Sequence, residues 1–176
     1  MTALHSHRDD GVLAGSLRAS MLPIPEVAVV ATALLLAGIA MAAGVDRWVA
    51  VLVGIALALT GRLGRASDRL DWALPALLRA LEYGAVVVLV GDSPWAYALA
   101  ATLAFRHYDI VYRERIRGDN PPRWLAVVAG GWELRTVVLA IAAASGHQTR
   151  VAAVLAILLA PLIVVEAGAS WATRRT

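Results

Sequence analysis

The chain contains no cysteine and no lysine. Without cysteine there is no disulfide and no thiolate metal site. Without lysine, all 16 basic residues are arginine, the cation that grips a phosphate through parallel hydrogen bonds. Charge is scarce as well: Asp, Glu and Arg make up 16% of the 176 residues, against about 25% in soluble domains. Mean hydropathy is +0.68 and the apolar residues fall in long blocks, which argues against an ordinary soluble core. No secretory signal is expected, because "MTALHSHRDDGVLAGSLRASM" has no short apolar core running into a small-residue cleavage site. No internal repeat is visible. The net charge of +3 sits in clustered arginines, and no nucleic-acid partner is expected from it.

What the chain does have is six apolar blocks, near residues 25–44, 47–61, 72–91, 94–112, 122–145 and 149–171. A helix that crosses a bilayer needs about 20 residues, and only the second block is short for this. Breakers separate the blocks: "GVDR", "GRLGRASDR", "GDSP", "RGDNPPR" and "SGHQTR". The loop charges alternate. Arg8, Arg18, Arg62, Arg65, Arg69, Arg113, Arg115, Arg117, Arg123, Arg174 and Arg175 fall on one side, and only Arg47 and Arg150 on the other. By the positive-inside rule, this predicts an all-α polytopic membrane protein with six transmembrane helices and both termini in the cytoplasm. Trp48, Trp72, Trp95, Trp124 and Trp171 lie near span ends, as an interfacial belt requires. The expected organisation is a polar lead-in over 1–24 with a short interfacial helix, a six-helix domain over 25–171 and a basic tail over 172–176. The expected location is the bacterial inner (plasma) membrane.

The chemistry lies in the polar residues inside these blocks. On the third, Asp68, Asp71, Pro75, Arg79 and Glu82 share one helical stripe, and Glu82 stands roughly 16 Å beyond Asp71, near the bilayer midplane. On the fourth, Arg106, Asp109 and Arg113 share a face, with His107 beside them. The fifth carries Glu133 and Arg135, and the sixth Glu166. All fall in the cytoplasmic half, which predicts a polar cavity open to the cytoplasm. Charges at such depth cost about 2.5–3.5 kcal/mol each, so they are either functional or locked in pairs such as Arg79–Glu82 and Arg106–Asp109. Asp68 and Asp71 are open to two readings: N-terminal helix caps, or with Glu82 the ligands of a divalent cation.

The D-x-x-D at the cytoplasmic start of the third block, with six helices and cytoplasmic termini, resembles the CDP-alcohol phosphatidyltransferases. Their motif runs D-x-x-D-G-x-x-A-R, then G-x-x-x-D-x-x-x-D. Only Asp68 and Asp71 match it. Trp72 and Ala76 stand where the Gly and Arg belong, the second aspartate pair is missing, and Asp92 is out of register. A broader resemblance is to an actinobacterial membrane domain without an assigned activity, found fused C-terminal to CDP-alcohol phosphatidyltransferase domains. "RDDGVLAGSLR", "RLDWALPALLRALEY", "FRHYDIVYRERIRG", "PPRW" and "GWELR" carry it. The resemblance implies phospholipid or polyprenyl-phosphate metabolism at the cytoplasmic leaflet.

Two expectations follow. In the first, the cavity binds a lipid or CDP-linked phosphate substrate, and the protein is a CDP-alcohol phosphotransferase-like transferase. Asp68, Asp71 and Glu82 would hold Mg or Mn, Arg79, Arg106, Arg113 and Arg135 with Glu133 would bind substrate, and Asp109 or His107 would be the base. In the second, the chain is a non-catalytic membrane module. It would partner a CDP-alcohol phosphotransferase or a second copy of itself, with the buried charges as structural ion pairs.

Overall fold

The computed structural model describes residues 9–17, 22–65, 70–119 and 121–172. The fold is all-α, with helices where the apolar blocks stand. A five-residue helix α1 (Val12–Ser16) precedes α2 (Glu26–Ala42), α3 (Arg47–Thr60), α4 (Leu74–Val90), α5 (Pro94–Tyr112), α6 (Arg123–Val128), α7 (Gly131–Ala144) and α8 (Gln148–Ala172). A minimal parallel pairing of β1 (Leu22–Pro25) with β2 (Gly64–Arg65) ties the chain entering α2 to the chain leaving α3.

Local chemistry sets the helix ends. Ser93 Oγ accepts from the Trp95 amide at 3.3 Å and Pro94 takes the first helical position, so α5 starts sharply after "GDS". Its far end widens into a π-helical turn, Arg113–Arg117. The fifth apolar block, expected as one helix, is two. Gly130 and Gly131 have φ of 81° and 61°, values that a side chain disfavours, and the break separates α6 from α7. Among the described residues, two apolar runs are long enough to cross a membrane, Trp124–Ala144 with 21 residues and Gln148–Ala172 with 25. Helix α3, at 14 residues, rises only ~21 Å.

Helix α7 is central, packing against α3, α4 and α8, while α5 packs on α8 and α2 on α3. Leu78, Val86, Leu99, Leu103, Leu139 and Ile163 fill the core between them. The outward faces are apolar too: Leu35, Val87, Ile141, Leu158 and Val165 are all exposed. What the core encloses at one end is charge. Glu82, Arg106, His107, Asp109, Arg113, Glu133 and Arg135 are buried on α4, α5 and α7 or the turn that follows α5.

Part of the lead-in packs on the bundle. Its residues Asp9–Ser16 dock into the bundle, and Ala14 is completely buried. The Trp132 amide donates to the Asp9 carbonyl at 3.1 Å, and Trp132 Nε1 donates to Asp10 Oδ1 at 3.1 Å. From the end of α3, Arg62 reaches over to donate to the Ala14 carbonyl at 3.1 Å, and its guanidinium lies 3.6 Å from both Asp10 and Glu26. The fit is close. A Cβ on Gly11 would stand 2.7 Å from Glu133 Oε1 and from the Gly130 carbonyl, and one on Gly131 would collide with the Gly11 backbone.

Candidate functional site

Asp9 is the centre of the buried charges. Its carboxylate accepts from Arg135 Nη2 at 2.7 Å and from Arg106 Nη2 at 3.2 Å, joining α7 to α5. Arg135 spends its other nitrogens on Glu82 Oε1 of α4 at 2.7 Å and on the Ala129 carbonyl at 3.0 Å. Burial opposes charge on Asp9 most strongly, but Arg135 and Arg106 outweigh it and hold the carboxyl at about 2. Asp9 therefore stays ionised.

His107 stands on the far side of Glu82. Its Nε2 faces Glu82 Oε2 at 3.5 Å and its Nδ1 lies 2.8 Å from the Tyr83 hydroxyl. With an acceptor opposite Nε2, the proton belongs there, and Tyr83 donates to Nδ1. The sequence reading did not single out Tyr83. Asp9, Arg79, Glu82 and His107, walled by Pro75 and Trp132, line a pocket of about 10 Å³, room for about one water molecule. Arg79 has no carboxylate partner among the described residues, and its Nη2 is buried without a hydrogen bond. Arg106 is similarly under-used: Nε and Nη1 are buried and unpartnered, and only Nη2 reaches Asp9.

A second cluster lies towards the end of α5. Arg113 is bidentate to Glu166 of α8, at 3.0 and 2.7 Å, and its Nε is 2.8 Å from Asp109 Oδ2. One turn on, Arg117 donates to the Ser170 carbonyl at 3.0 Å. Asp109 is completely buried behind this pairing and does not line the Arg79 pocket.

The expected residues therefore sort into distinct places. Glu82, Arg79, Arg106, His107 and Arg135 come together around Asp9, whereas Arg113 and Asp109 form their own pair with Glu166. Glu133 does something else. Its two oxygens accept from the Gly11 amide at 3.2 Å and the Ala14 amide at 3.1 Å, capping α1 from across the bundle. The within-helix pairs Arg79–Glu82 and Arg106–Asp109 are not made. Glu82 and Arg106 instead reach across the interfaces, Glu82 to Arg135 and Arg106 through Nη2 to Asp9. Asp68 and the Asp71 side chain lie outside the described residues. A hard divalent cation needs several oxygens together, but Glu82 faces cations and an imidazole. Among the described residues no group of three His, Asp or Glu converges as a metal site.

A family model described as "Family of unknown function (DUF5941)" matches residues 1–176. The chain belongs to that family. No curated protein and no solved structure matches it. The Asp9–Arg106–Arg135–Glu82 network joins α4, α5 and α7 of this DUF5941 chain through its lead-in. Asp9 and Asp10 are the residues that reading by spans passed over. The signal was the acidic pair set before a glycine and a short apolar run, "DDGVLAG", in an otherwise polar lead-in.

Proposed function

We propose that the chain is a six-span inner-membrane protein with both termini cytoplasmic, and that its polar end binds a phosphate-bearing group, on a lipid headgroup or a CDP-linked substrate. Support for the spans comes from the apolar outward faces, the arginine asymmetry of the loops and the tryptophans. Trp72, Trp95, Trp124 and Trp171 are exposed near helix ends, where indole rings favour the headgroup layer. Apolar exposure along most helices is costly in water and neutral in hydrocarbon.

The observation that carries phosphate binding is Arg79. Among the described residues, two carboxylates, Asp9 and Glu82, stand with three guanidinium groups: Arg106 and Arg135 pair with them, and Arg79 lines the same pocket. The leftover cation lines the pocket with a buried, unsatisfied donor. A buried donor without an acceptor is costly, and an anionic ligand relieves it. If the protein transfers a phosphate group to an alcohol, His107 lines this pocket and would act as base once its Nδ1 exchanges the Tyr83 hydroxyl for the acceptor's, since Asp109 is sealed behind Arg113.

Binding of inorganic phosphate to the detergent-purified protein tests this reading, by calorimetry or thermal shift. The wild type should bind, and Arg79→Gln should weaken binding about tenfold or more with its helix content intact. Equal binding by the two proteins would remove Arg79 from the site.

A second reading rests on the completeness of the Asp9–Arg135–Glu82 pairing. In it the network only fixes helix register, and the chain is a non-catalytic module that partners a CDP-alcohol phosphotransferase or a second copy of itself. Phosphate binding by neither protein would favour it.

A further inference from the structure

The charged end of the bundle already contains an anion, and it belongs to the chain itself. Asp9 sits where a ligand would: between two guanidinium groups, on a segment that enters from outside the helices. It is a poor match for what surrounds it. One carboxylate offers two oxygens, yet Arg106 Nε, Arg106 Nη1 and Arg79 Nη2 remain buried without acceptors beside it. His107 lies within electrostatic reach of Asp9, Arg79, Arg106 and Arg135 together, so the four charges share one small region. A phosphate dianion carries more oxygens and more charge than a carboxylate, and three arginines suit it better. It cannot join Asp9, because the space left in the pocket is about 10 Å³.

We infer that Asp9 is an internal competitor for the anion site formed by Arg79, Arg106 and Arg135, and that a phosphate group enters by displacing it and releasing residues 9–16 from α7. The inference rests on the phosphate-binding reading above and assigns its regulation. Release of the whole segment follows from the fit. Gly11 lies against Gly131 and Glu133 with no slack, and the Asp9 carbonyl is bonded to the Trp132 amide, so the Asp9 side chain does not leave alone. The amides of Gly11 and Ala14 lose their Glu133 acceptor when the segment leaves.

The test is phosphate affinity of the full chain in detergent for the wild type, Asp9→Asn and Gly11→Ala, with hydrogen exchange at Gly11 and Ala14. Asp9→Asn removes the competing charge. Gly11→Ala pries the segment loose by crowding the Gly130 carbonyl and Glu133, leaving Asp9 and the three arginines unchanged, and it answers the question if Asp9→Asn does not fold. Both variants should bind inorganic phosphate about tenfold more tightly than wild type, and phosphate should speed exchange at both amides of the wild type. Nanodiscs of phosphatidylcholine with and without phosphatidic acid separate the sources. Release by phosphatidic acid and not by free phosphate assigns a lipid headgroup, and the reverse assigns a soluble ligand. Wild-type binding with no tightening in the folded variants and no change in exchange would overturn the competition while leaving phosphate binding intact. Absence of phosphate binding in all three proteins, with no release by phosphatidic acid either, would overturn the phosphate reading itself.

Discussion

Asp9 neutralises two arginines that come from different helices, and that sets what its loss would do. Its folded carboxyl lies at about 2, below the ordinary 3.8, so it contributes stability in full above about pH 4. That contribution drains away as pH falls through about 2. The stability gap between wild type and Asp9→Asn should therefore hold constant from neutral pH to about pH 4. Below that it should shrink, by an amount on the order of 2 kcal/mol in all. Chemical denaturation in detergent across that range checks it, and a gap unchanged at pH 2.5 would count against the ion pairs. At this scale the sequence was half legible. Glu82, Arg79, Arg106, His107 and Arg135 stood out because charge inside an apolar block is costly wherever it points. Their partners did not, since helical arithmetic finds neighbours three or four residues apart, whereas Asp9 meets Arg135 from a separation of 126.

At the scale of elements, the contact between the lead-in and α7 depends on two glycines facing each other. An alanine at Gly131 would need a positive φ and would put its Cβ into the Gly11 backbone. Gly131→Ala should thus cost more than about 1 kcal/mol and expose Trp132, read as a red shift and quenching of its fluorescence against a Trp132→Phe control. Gly168→Ala, in α8 with nothing near its absent Cβ, should be neutral or stabilise by up to about 1 kcal/mol through helix propensity. Equal effects at the two positions would show that the lead-in contact carries no stability. Helix existence and extent were largely readable, because the breakers between apolar blocks act locally: "GDSP" stops α4 and starts α5 in the structure as in the sequence. The break at Gly130–Gly131 was passed over inside an apolar run. Its purpose is tertiary, to let another segment come close, and periodicity is blind to that.

For the whole molecule, the proposed topology places the α2–α3, α4–α5 and α7–α8 connections outside and the charged end inside. A chain without native cysteine lets single reporters decide this. Ser145→Cys should react with a membrane-impermeant maleimide added to intact cells, and Arg115→Cys only after lysis; both positions are exposed. Labelling of Arg115→Cys from outside would invert or break the six-span arrangement. The all-α architecture was legible from composition and block length, since long apolar runs leave the backbone few ways to satisfy its own hydrogen bonds. The order of synthesis adds a consequence. Asp9 is made early and Arg135 only 126 residues later, so Glu82 and Arg106 are inserted while their eventual partners are absent or undocked. Closure of the network is a late, high-contact-order step that waits for α7, and in the proposed topology the half-built bundle would until then carry bare charge into the bilayer. In the proposed topology, a newly made chain halted before α7 would therefore expose unneutralised arginine as a mark for membrane quality control.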